Sequence, residues 1–171
     1  GEPLIIQEHK TFLMEIIKQG RASEVSLRYN TNGLTVSKEW IDIWSQFKHV
    51  LIAFSLDAVG DRLEYIRFPT KMTEVEAALS VLESSPDNIE VQFAIAVQLM
   101  NIKHMPDFIK WRAKSEFTKP NYRFKEDGSK VSSVLRRPHL IWIPSWYNLR
   151  ALPDDDKAEV RLLFENLKGW L

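Results

Sequence analysis

Small polar side chains follow the strand-like segments of this sequence, and such groups can orient a polar small molecule by hydrogen bonds. The segments end in "YNTNG", "FSLDAVGDRLEYIR", "VQLMNIK" and "RALP". The polar residues at these ends are Asn30, Thr31, Asn32, Ser55, Asp57, Gln98 and Asn101. Any one of them is also a common turn former. Their recurrence at consecutive segment ends favours a binding site over isolated turns.

Strands and helices must alternate for these groups to meet. Apolar residues at helical spacing predict a helix over about residues 8–19, ended by Gly20, and a second over 37–47, capped by Ser37. The first of these helices would bury Phe12, Leu13, Ile16 and Ile17. Further helices are predicted in "TEVEAALSVLESS", with Thr73 as N-cap, in "MPDFIKWRAKSEF" and in "DDDKAEVRLLFENLKGWL". Strands are predicted in "EVSLRYNTNG", "HVLIAFSLD", "NIEVQFAIAVQL" and "YNLRAL".

This order is one helix followed by four strand–helix units. Strands separated by helices of about ten residues pair in parallel through right-handed crossovers. The chain is therefore predicted to be an α/β protein. A piece of an α/β barrel and an open doubly wound sheet both fit the order. In either one, ligands bind at the carboxyl ends of the strands.

The composition is that of an ordinary globular chain. Its 171 residues suit one domain, and 23 basic residues balance 23 acidic ones. A formal net charge of zero provides no overall basic field for nucleic acid or an anionic membrane. Cysteine is absent, which excludes disulfides, thiolate catalysis and a metal cluster held by the chain's own cysteines. No apolar run could span a bilayer, and we expect a cytoplasmic protein.

Four short motifs, taken in order, resemble the radical S-adenosylmethionine (SAM) superfamily. "GEP" leads into the first helix like the end of a Gly-Gly-Glu-Pro motif, and "TNG", "SLDA" and "YIR" follow in the family's order. The sequence is most similar to the branch with a twitch domain, through "LRYNTNG", "FSLDAVGDRLEYIR" and "LRALP". The resemblance covers essentially the whole chain. It implies that residues 1–171 are a single truncated piece of a partial (β/α)6 TIM-like barrel, from the end of strand 2 to helix 6.

The resemblance also implies which residues bind the two charged groups of the cofactor. The amino group of SAM would lie against Gly1, Glu2 and Pro3, where carbonyls and a carboxylate can accept from an ammonium. Its carboxylate would lie against Ser55 and Arg67, because a guanidinium binds a carboxylate through a directional fork.

Further residues are implied around the rest of the cofactor. Thr31 and Asn32 would face the methionine moiety, and Asp57 would lie near the ribose or the substrate. Gln98 and Asn101 would contact the ribose. No catalytic residue and no metal ligand is assigned to this chain.

The last strand and two departures complete the comparison with the family pattern. The backbone of Leu152 and Pro153 would border the adenine. Where the family usually has glycine after "SLD", this sequence has Ala58, with Gly60 two residues later. The Cys-x3-Cys-x2-Cys loop that holds the [4Fe–4S] cluster is missing, and its expected place is upstream of residue 1.

The resemblance implies an intact enzyme that reductively cleaves SAM at a [4Fe–4S] cluster and abstracts hydrogen from a peptide or small-molecule substrate. The cysteine-free chain alone is expected to be inactive. A non-enzymatic α/β binding or interaction domain is the alternative. An unrelated nucleotide-binding domain is disfavoured, since neither G-x-G-x-x-G nor a P-loop is present. A barrel cut within its second strand would leave an open edge, through which we expect self-association.

A basic patch occupies residues 114–137. It comprises Lys114, Lys119, Arg123, Lys125, Lys130, Arg136 and Arg137. The segment connects a helix to the next strand, and in a barrel such loops lie opposite the ligand site. We expect an irregular, solvated or partner-facing loop here, with "EDGS" as a turn, rather than a substrate lid.

Overall fold

The computed structural model describes residues 1–124, 130–132 and 138–170. The chain forms two compact units. The first contains Gly1–Ser55, Thr73–Ala94 and the described part of Glu116–Arg136. The second contains Leu56–Met72, Ile95–Ser115 and the described part of Arg137–Leu171. Helices and strands are numbered separately in chain order.

A parallel three-stranded sheet forms the centre of the first unit. Its strands are β1 (Ser26–Thr31), β2 (His49–Ser55) and β3 (Ile89–Ala94), in the order β1-β2-β3. Ile52 of the middle strand lies opposite Tyr29 on one side and Val91 on the other. Both neighbours pair in parallel, so the predicted α/β class with parallel strands is confirmed. The apolar run of β2 lets this strand be buried on both faces.

The first two helices begin within one residue of the predicted positions, and the first also ends where predicted, but the second ends three residues early. Helix α1 (Gln7–Lys18) is followed by Gly20 at φ +71°, and the N–H of Arg21 donates to the carbonyl of Ile16. Such a left-handed residue satisfies the last carbonyls of a helix. Helix α2 (Lys38–Trp44) begins after Ser37, whose hydroxyl accepts from the N–H of Trp40.

The burial predicted for α1 is only partly correct. Leu13 is fully buried and Ile16 and Ile17 are half-buried, but the Phe12 side chain is 63% exposed. Phe12 lies at one edge of the apolar stripe, about 100° around the helix from Leu13. The part of the chain that the structure describes provides no surface over Phe12.

The start of the next long helix differs from the prediction. Helix α4 (Met72–Glu83) already includes Thr73, so Thr73 is not its N-cap. The N–H of Met72 donates instead to the Glu64 carboxylate (3.2 Å), which also binds the ammonium of Lys71 (2.5 Å). A carboxylate from the preceding helix thus supplies the acceptor that a local cap would have supplied.

The second unit is mainly helical. It contains α3 (Gly60–Ile66), α5 (Met105–Lys114) and α6 (Asp154–Trp170), with acidic residues in the first turn of α6 as predicted. Its strands β4 (Ala96–Val97) and β7 (His139–Leu140) pair in parallel. Helix α3 was not predicted, because Leu63 is its one fully buried residue and leaves too weak a pattern. No helix of the described ranges is long and apolar enough to cross a membrane.

The prediction of a strand in "YNLRAL" is wrong. The chain there forms two 3₁₀ turns, Ser145–Tyr147 and Leu149–Ala151. The side chain of Asn148 accepts from the N–H of Arg150 (2.9 Å) and so stabilises the second turn locally. Local side-chain hydrogen bonds of this kind compete with strand formation. The strand that pairs with β4 lies earlier, at the start of "HLIWI".

The basic segment is described only in part. Residues 125–129 and 133–137, which include "EDGS", lie outside the described residues. On either side of the first gap, β5 (Tyr122–Phe124) and β6 (Lys130–Ser132) form an antiparallel pair. The predicted irregular loop is therefore partly strand, where "YRF" and "KVS" supply residues with strand propensity.

Candidate functional site

The carboxylate of Glu2 is held at the carboxyl end of β1. Its Oε1 accepts from the Thr31 hydroxyl (2.6 Å) and from the N–H of Leu4 (3.3 Å), and its Oε2 accepts from the N–H of Asn32 (2.8 Å). Pro3 follows as the first residue of the 3₁₀ turn Pro3–Ile5, where its fixed φ is favourable. "GEP" and "TNG" are thus in hydrogen-bond contact, and one lone-pair site of Oε2 remains for a further donor.

The "TNG" turn is built to hold that carboxylate. The Thr31 hydroxyl donates to Glu2 and accepts from the N–H of Gly33 (2.9 Å), while the Asn32 side chain accepts from Leu34 (3.1 Å). Gly33 has φ +75°, and a Cβ at this position would lie 2.0 Å from the ring of Phe54. Glycine is required here both for the left-handed backbone and for the close approach of the ring.

The remaining predicted residues of the first unit are Gly1 and Ser55. Gly1 is exposed, and no atom lies within 4 Å of where its Cβ would be. Ser55 is the last residue of β2, opposite Ala94 of β3, and is half-buried. The assignment of Ser55 to the cofactor carboxylate stays a prediction.

In the second unit, buried Asp57 forms an ion pair with half-buried Arg67. Asp57 Oδ2 accepts from Nε of Arg67 (2.8 Å) and lies 2.7 Å from its Nη2, and Oδ1 accepts from the N–H of Ala96 (2.7 Å). Asp57 therefore joins the end of α3 to the start of β4. Nη1 of Arg67 makes no hydrogen bond with the described residues and keeps its donors for another anion.

Asn101 is fully buried and holds three backbone groups. Its Nδ2 donates to the carbonyls of Asp57 (2.9 Å) and Ala96 (2.8 Å), and its Oδ1 accepts from the N–H of Gln98 (2.8 Å). The amide is thus a clamp between the "SLDA" turn and the turn after β4. Gln98 itself is half-buried. The contacts of both residues with a ribose stay a prediction.

The turn after "SLD" accommodates alanine without strain. Ala58 is fully buried, and no non-glycine residue of the described ranges has a positive φ. Gly60 takes the left-handed conformation instead, with φ +56°.

The last two predicted site residues, Leu152 and Pro153, precede α6. Leu152 is half-buried and Pro153 is exposed, and the carbonyl of Pro153 accepts from the N–H of Lys157 (3.0 Å).

A groove of about 680 Å³ beside this turn was not predicted. Arg62 and Tyr65 of α3 line it together with His104 and Asp107. The N–H of Val59 donates to Nε2 of His104 (3.4 Å), which places the histidine proton on Nδ1, 3.6 Å from the Asp107 carboxylate. No sequence signal could have found this arrangement, because Val59 and His104 are 45 residues apart.

His9 of the first unit also has an unpredicted polar partner. Its Nε2 lies 2.9 Å from the Tyr29 hydroxyl, and its ring stacks on Trp40 with centroids 6.2 Å apart. Burial lowers the pKa of His9 below 6.5, its ordinary value, and raises the pKa of the Tyr29 phenol above 10.0. The pair is thus kept neutral at physiological pH.

We expect the lowered pKa of His9 to make stability depend on pH. The unfolded chain takes up a proton on this residue near pH 6.5, before the folded chain does, so the free energy of unfolding falls as the pH drops below 6.5. Urea unfolding between pH 5 and 8 should show a shallower dependence for His9→Gln than for the wild type. His139→Gln, at an exposed histidine, serves as control. Equal slopes for the wild type and His9→Gln contradict the prediction.

Comparison with known protein families finds no matching family model. None of the curated proteins compared with the chain is significantly similar to it.

Proposed function

We propose that this chain is part of a radical SAM protein of the twitch-domain branch, and that it binds SAM through residues of the truncated, partial (β/α)6 barrel. The observation that carries the proposal is the Glu2 carboxylate bound to Thr31 and Asn32. The resemblance alone assigns both motifs involved, "GEP" and "TNG", to the methionine moiety of SAM. Their hydrogen-bond contact supports that assignment, as does the parallel order β1-β2-β3.

The chemistry of the side chains suits the amino-acid end of SAM. Glu2 is a fixed carboxylate with an acceptor site left, which an ammonium would satisfy by a charge-assisted hydrogen bond. Arg67 is held by Asp57 and would bind a carboxylate through Nη1. Each group is fixed within its own unit by neighbouring atoms, so little side-chain entropy is lost on binding.

The [4Fe–4S] cluster does not fit the residues of this chain. The sequence has no cysteine, and the described residues contain no group of three or more potential metal-ligating side chains. In our proposal the intact parent takes its cluster ligands from elsewhere, and these 171 residues bind SAM without cleaving it. The substrate of the parent, a peptide or small molecule, is not specified by these residues.

Isothermal titration with SAM tests the proposal. We expect saturable binding that Glu2→Gln and Arg67→Lys each weaken about tenfold, since each removes one charge-assisted contact of about 1.5 kcal/mol. Glu15→Gln, at an exposed acid of α1, should bind like the wild type. Folding of each variant is verified by circular dichroism. A folded wild-type chain that does not bind SAM overturns the proposal, and so does 5′-deoxyadenosine formation after reconstitution with iron and sulfide.

A non-enzymatic interaction domain is the second candidate. It is favoured by a group of exposed apolar side chains between residues 140 and 147. An absence of SAM binding together with specific protein association would support this candidate over the first.

A further inference from the structure

The groove in the second unit is lined by charged side chains that the proposed cofactor site does not use. It lies between α3 and the start of α5, and its volume of about 680 Å³ is in the range of small-molecule pockets. Its polar lining consists of Asp61, Arg62, Tyr65, His104 and Asp107. Among the described residues, the side chains of Asp61, Arg62 and Tyr65 have no hydrogen-bond or ion-pair partner. Their polar groups are therefore available to a ligand.

Helix α3 forms one wall of the groove. Asp61 and Arg62 lie in its first turn, and Tyr65 follows them by four and three residues. Residues at these spacings are neighbours on a helix surface, so Tyr65 lies one turn further along, between the two opposite charges. Its side chain is 70% exposed and presents an aromatic ring on which a cation can pack. This wall thus offers a carboxylate, a guanidinium and an aromatic ring.

The start of α5 forms the other wall and offers a second carboxylate. The N–H of Val59 occupies Nε2 of His104, and the protonated Nδ1 lies 3.6 Å from the carboxylate of Asp107. This separation is longer than that of a hydrogen bond. The Asp107 side chain is 65% exposed and so keeps its acceptor sites for a ligand. Gly60 also lines the groove, and no atom lies within 4 Å of its Cβ position, so the groove is open there.

We propose that the groove binds a basic amino acid, a ligand with one carboxylate and two cationic groups. The groove has the opposite set of charges, one guanidinium from Arg62 and two carboxylates from Asp61 and Asp107. Arg62 binds the carboxylate of the ligand through a directional fork, and the two aspartates accept charge-assisted hydrogen bonds from its cationic groups. An acidic amino acid would bring its second anion against an aspartate. An apolar amino acid would leave one aspartate without a partner.

Titration of the isotope-labelled full chain with L-lysine, followed by the NMR shifts of its amides, tests the proposal. We expect saturable binding with a Kd on the order of 1 mM, since exposed charge pairs each contribute little. The amides of Val59 and Gly60, which line the groove, should shift. Cadaverine lacks the carboxylate of L-lysine and L-norleucine lacks its second ammonium, so each should bind about threefold more weakly. A wild-type chain whose groove amides do not respond overturns the proposal, as does cadaverine binding as tight as that of L-lysine.

Two variants identify the partners of the ligand. Arg62→Gln and Asp107→Asn should each weaken L-lysine binding about threefold, and both side chains are exposed, so the fold should be retained. Arg161→Gln, at an exposed arginine of α6, should bind L-lysine like the wild type. Arg62→Gln should leave cadaverine binding unchanged, because cadaverine has no carboxylate for Arg62 to bind. An equal loss for cadaverine and L-lysine in this variant contradicts the assigned contact.

The groove is independent of the proposed function, and the same titrations separate the two. SAM also carries one carboxylate and two cationic groups, so the sites are distinguished by variants. Arg62→Gln should weaken L-lysine binding and leave SAM binding unchanged, whereas Arg67→Lys should do the reverse. L-lysine binding that Arg67→Lys weakens as much as Arg62→Gln does would overturn the groove. SAM titrations that fail while L-lysine binds as expected would overturn the proposed function alone.

Discussion

Replacing Gly33 with alanine is expected to lower the free energy of unfolding by about 2–4 kcal/mol. Two effects add at this residue. The backbone has φ +75°, which an alanine adopts at a cost of about 1 kcal/mol. The new methyl group would also lie 2.0 Å from Cε2 of Phe54, a fully buried ring that cannot move away freely. The sheet residues around Phe54 must shift to admit it.

Gly20→Ala is the matched control for this change. Gly20 has φ +71°, nearly that of Gly33, but no atom lies within 4 Å of its Cβ position. The decrease in the free energy of unfolding of Gly20→Ala, measured by urea unfolding, should therefore report only the cost of the left-handed backbone, about 1 kcal/mol. The difference between the two variants measures the contact with Phe54. Adding Phe54→Leu to Gly33→Ala should recover part of this difference in stability. Equal decreases in the free energy of unfolding for Gly20→Ala and Gly33→Ala would contradict the prediction, because they would show that the Phe54 ring moves aside without cost.

Replacing Asn101 with aspartate is expected to lower the free energy of unfolding by about 3–5 kcal/mol at pH 7. The two carbonyls of Asp57 and Ala96 that now accept from the amide would then face a buried carboxylate. The carboxylate and carbonyl oxygens repel each other, and the two hydrogen bonds donated by Nδ2 are lost. No solvent reaches the site, because Asn101 is fully buried.

The pH dependence of this variant identifies the cause. A carboxyl group in this position has its pKa raised by burial and by the carbonyl dipoles. Protonation favours the folded state, so the loss relative to wild type should shrink as the pH falls from 7 towards 4. Asn148→Asp is the control, because the Asn148 side chain only accepts, from the N–H of Arg150, and aspartate can do the same. A loss at Asn101 that is independent of pH argues for a packing defect.

The sequence predicts the first unit better than the second. The strands β1, β2 and β3 have apolar runs with clear boundaries, and Gly20 and Ser37 mark helix ends through local chemistry. In the second unit several elements are short, and individual hydrogen bonds rather than the apolar pattern decide them. The start of α4 depends on Glu64, and "YNLRAL" becomes two turns through the cap at Asn148. The spacing of apolar residues and the helix or strand propensity of single residues carry no information about such hydrogen-bond partners.

The candidate site can also be predicted only in part from the sequence. Motif order indicated that Glu2, Thr31 and Asn32 serve one purpose, and these residues are in contact. The pairing of Asp57 with Arg67 could not be predicted, because the motifs indicate ligand contacts for both and no local pattern joins the two ends of the unpredicted helix α3. The burial of Asn101 could not be predicted either, since an asparagine that forms a turn and one that is buried between backbone groups cannot be distinguished by residue type.

The hydrogen bond between Glu2 and Asn32 has a kinetic consequence. It closes a loop of about thirty residues, at a chain-entropy cost that grows only slowly with loop length. The amide of Asn32 lies just beyond the last residue of β1, so this carboxylate, and not the sheet ladder, shields it from solvent. Its exchange with solvent deuterium therefore follows the local opening of the first few residues. The exchange of the amides of the central strand β2 follows the unfolding of the sheet instead. Hydrogen exchange therefore distinguishes the local opening of the first residues from the unfolding of the sheet, two events with different free energies.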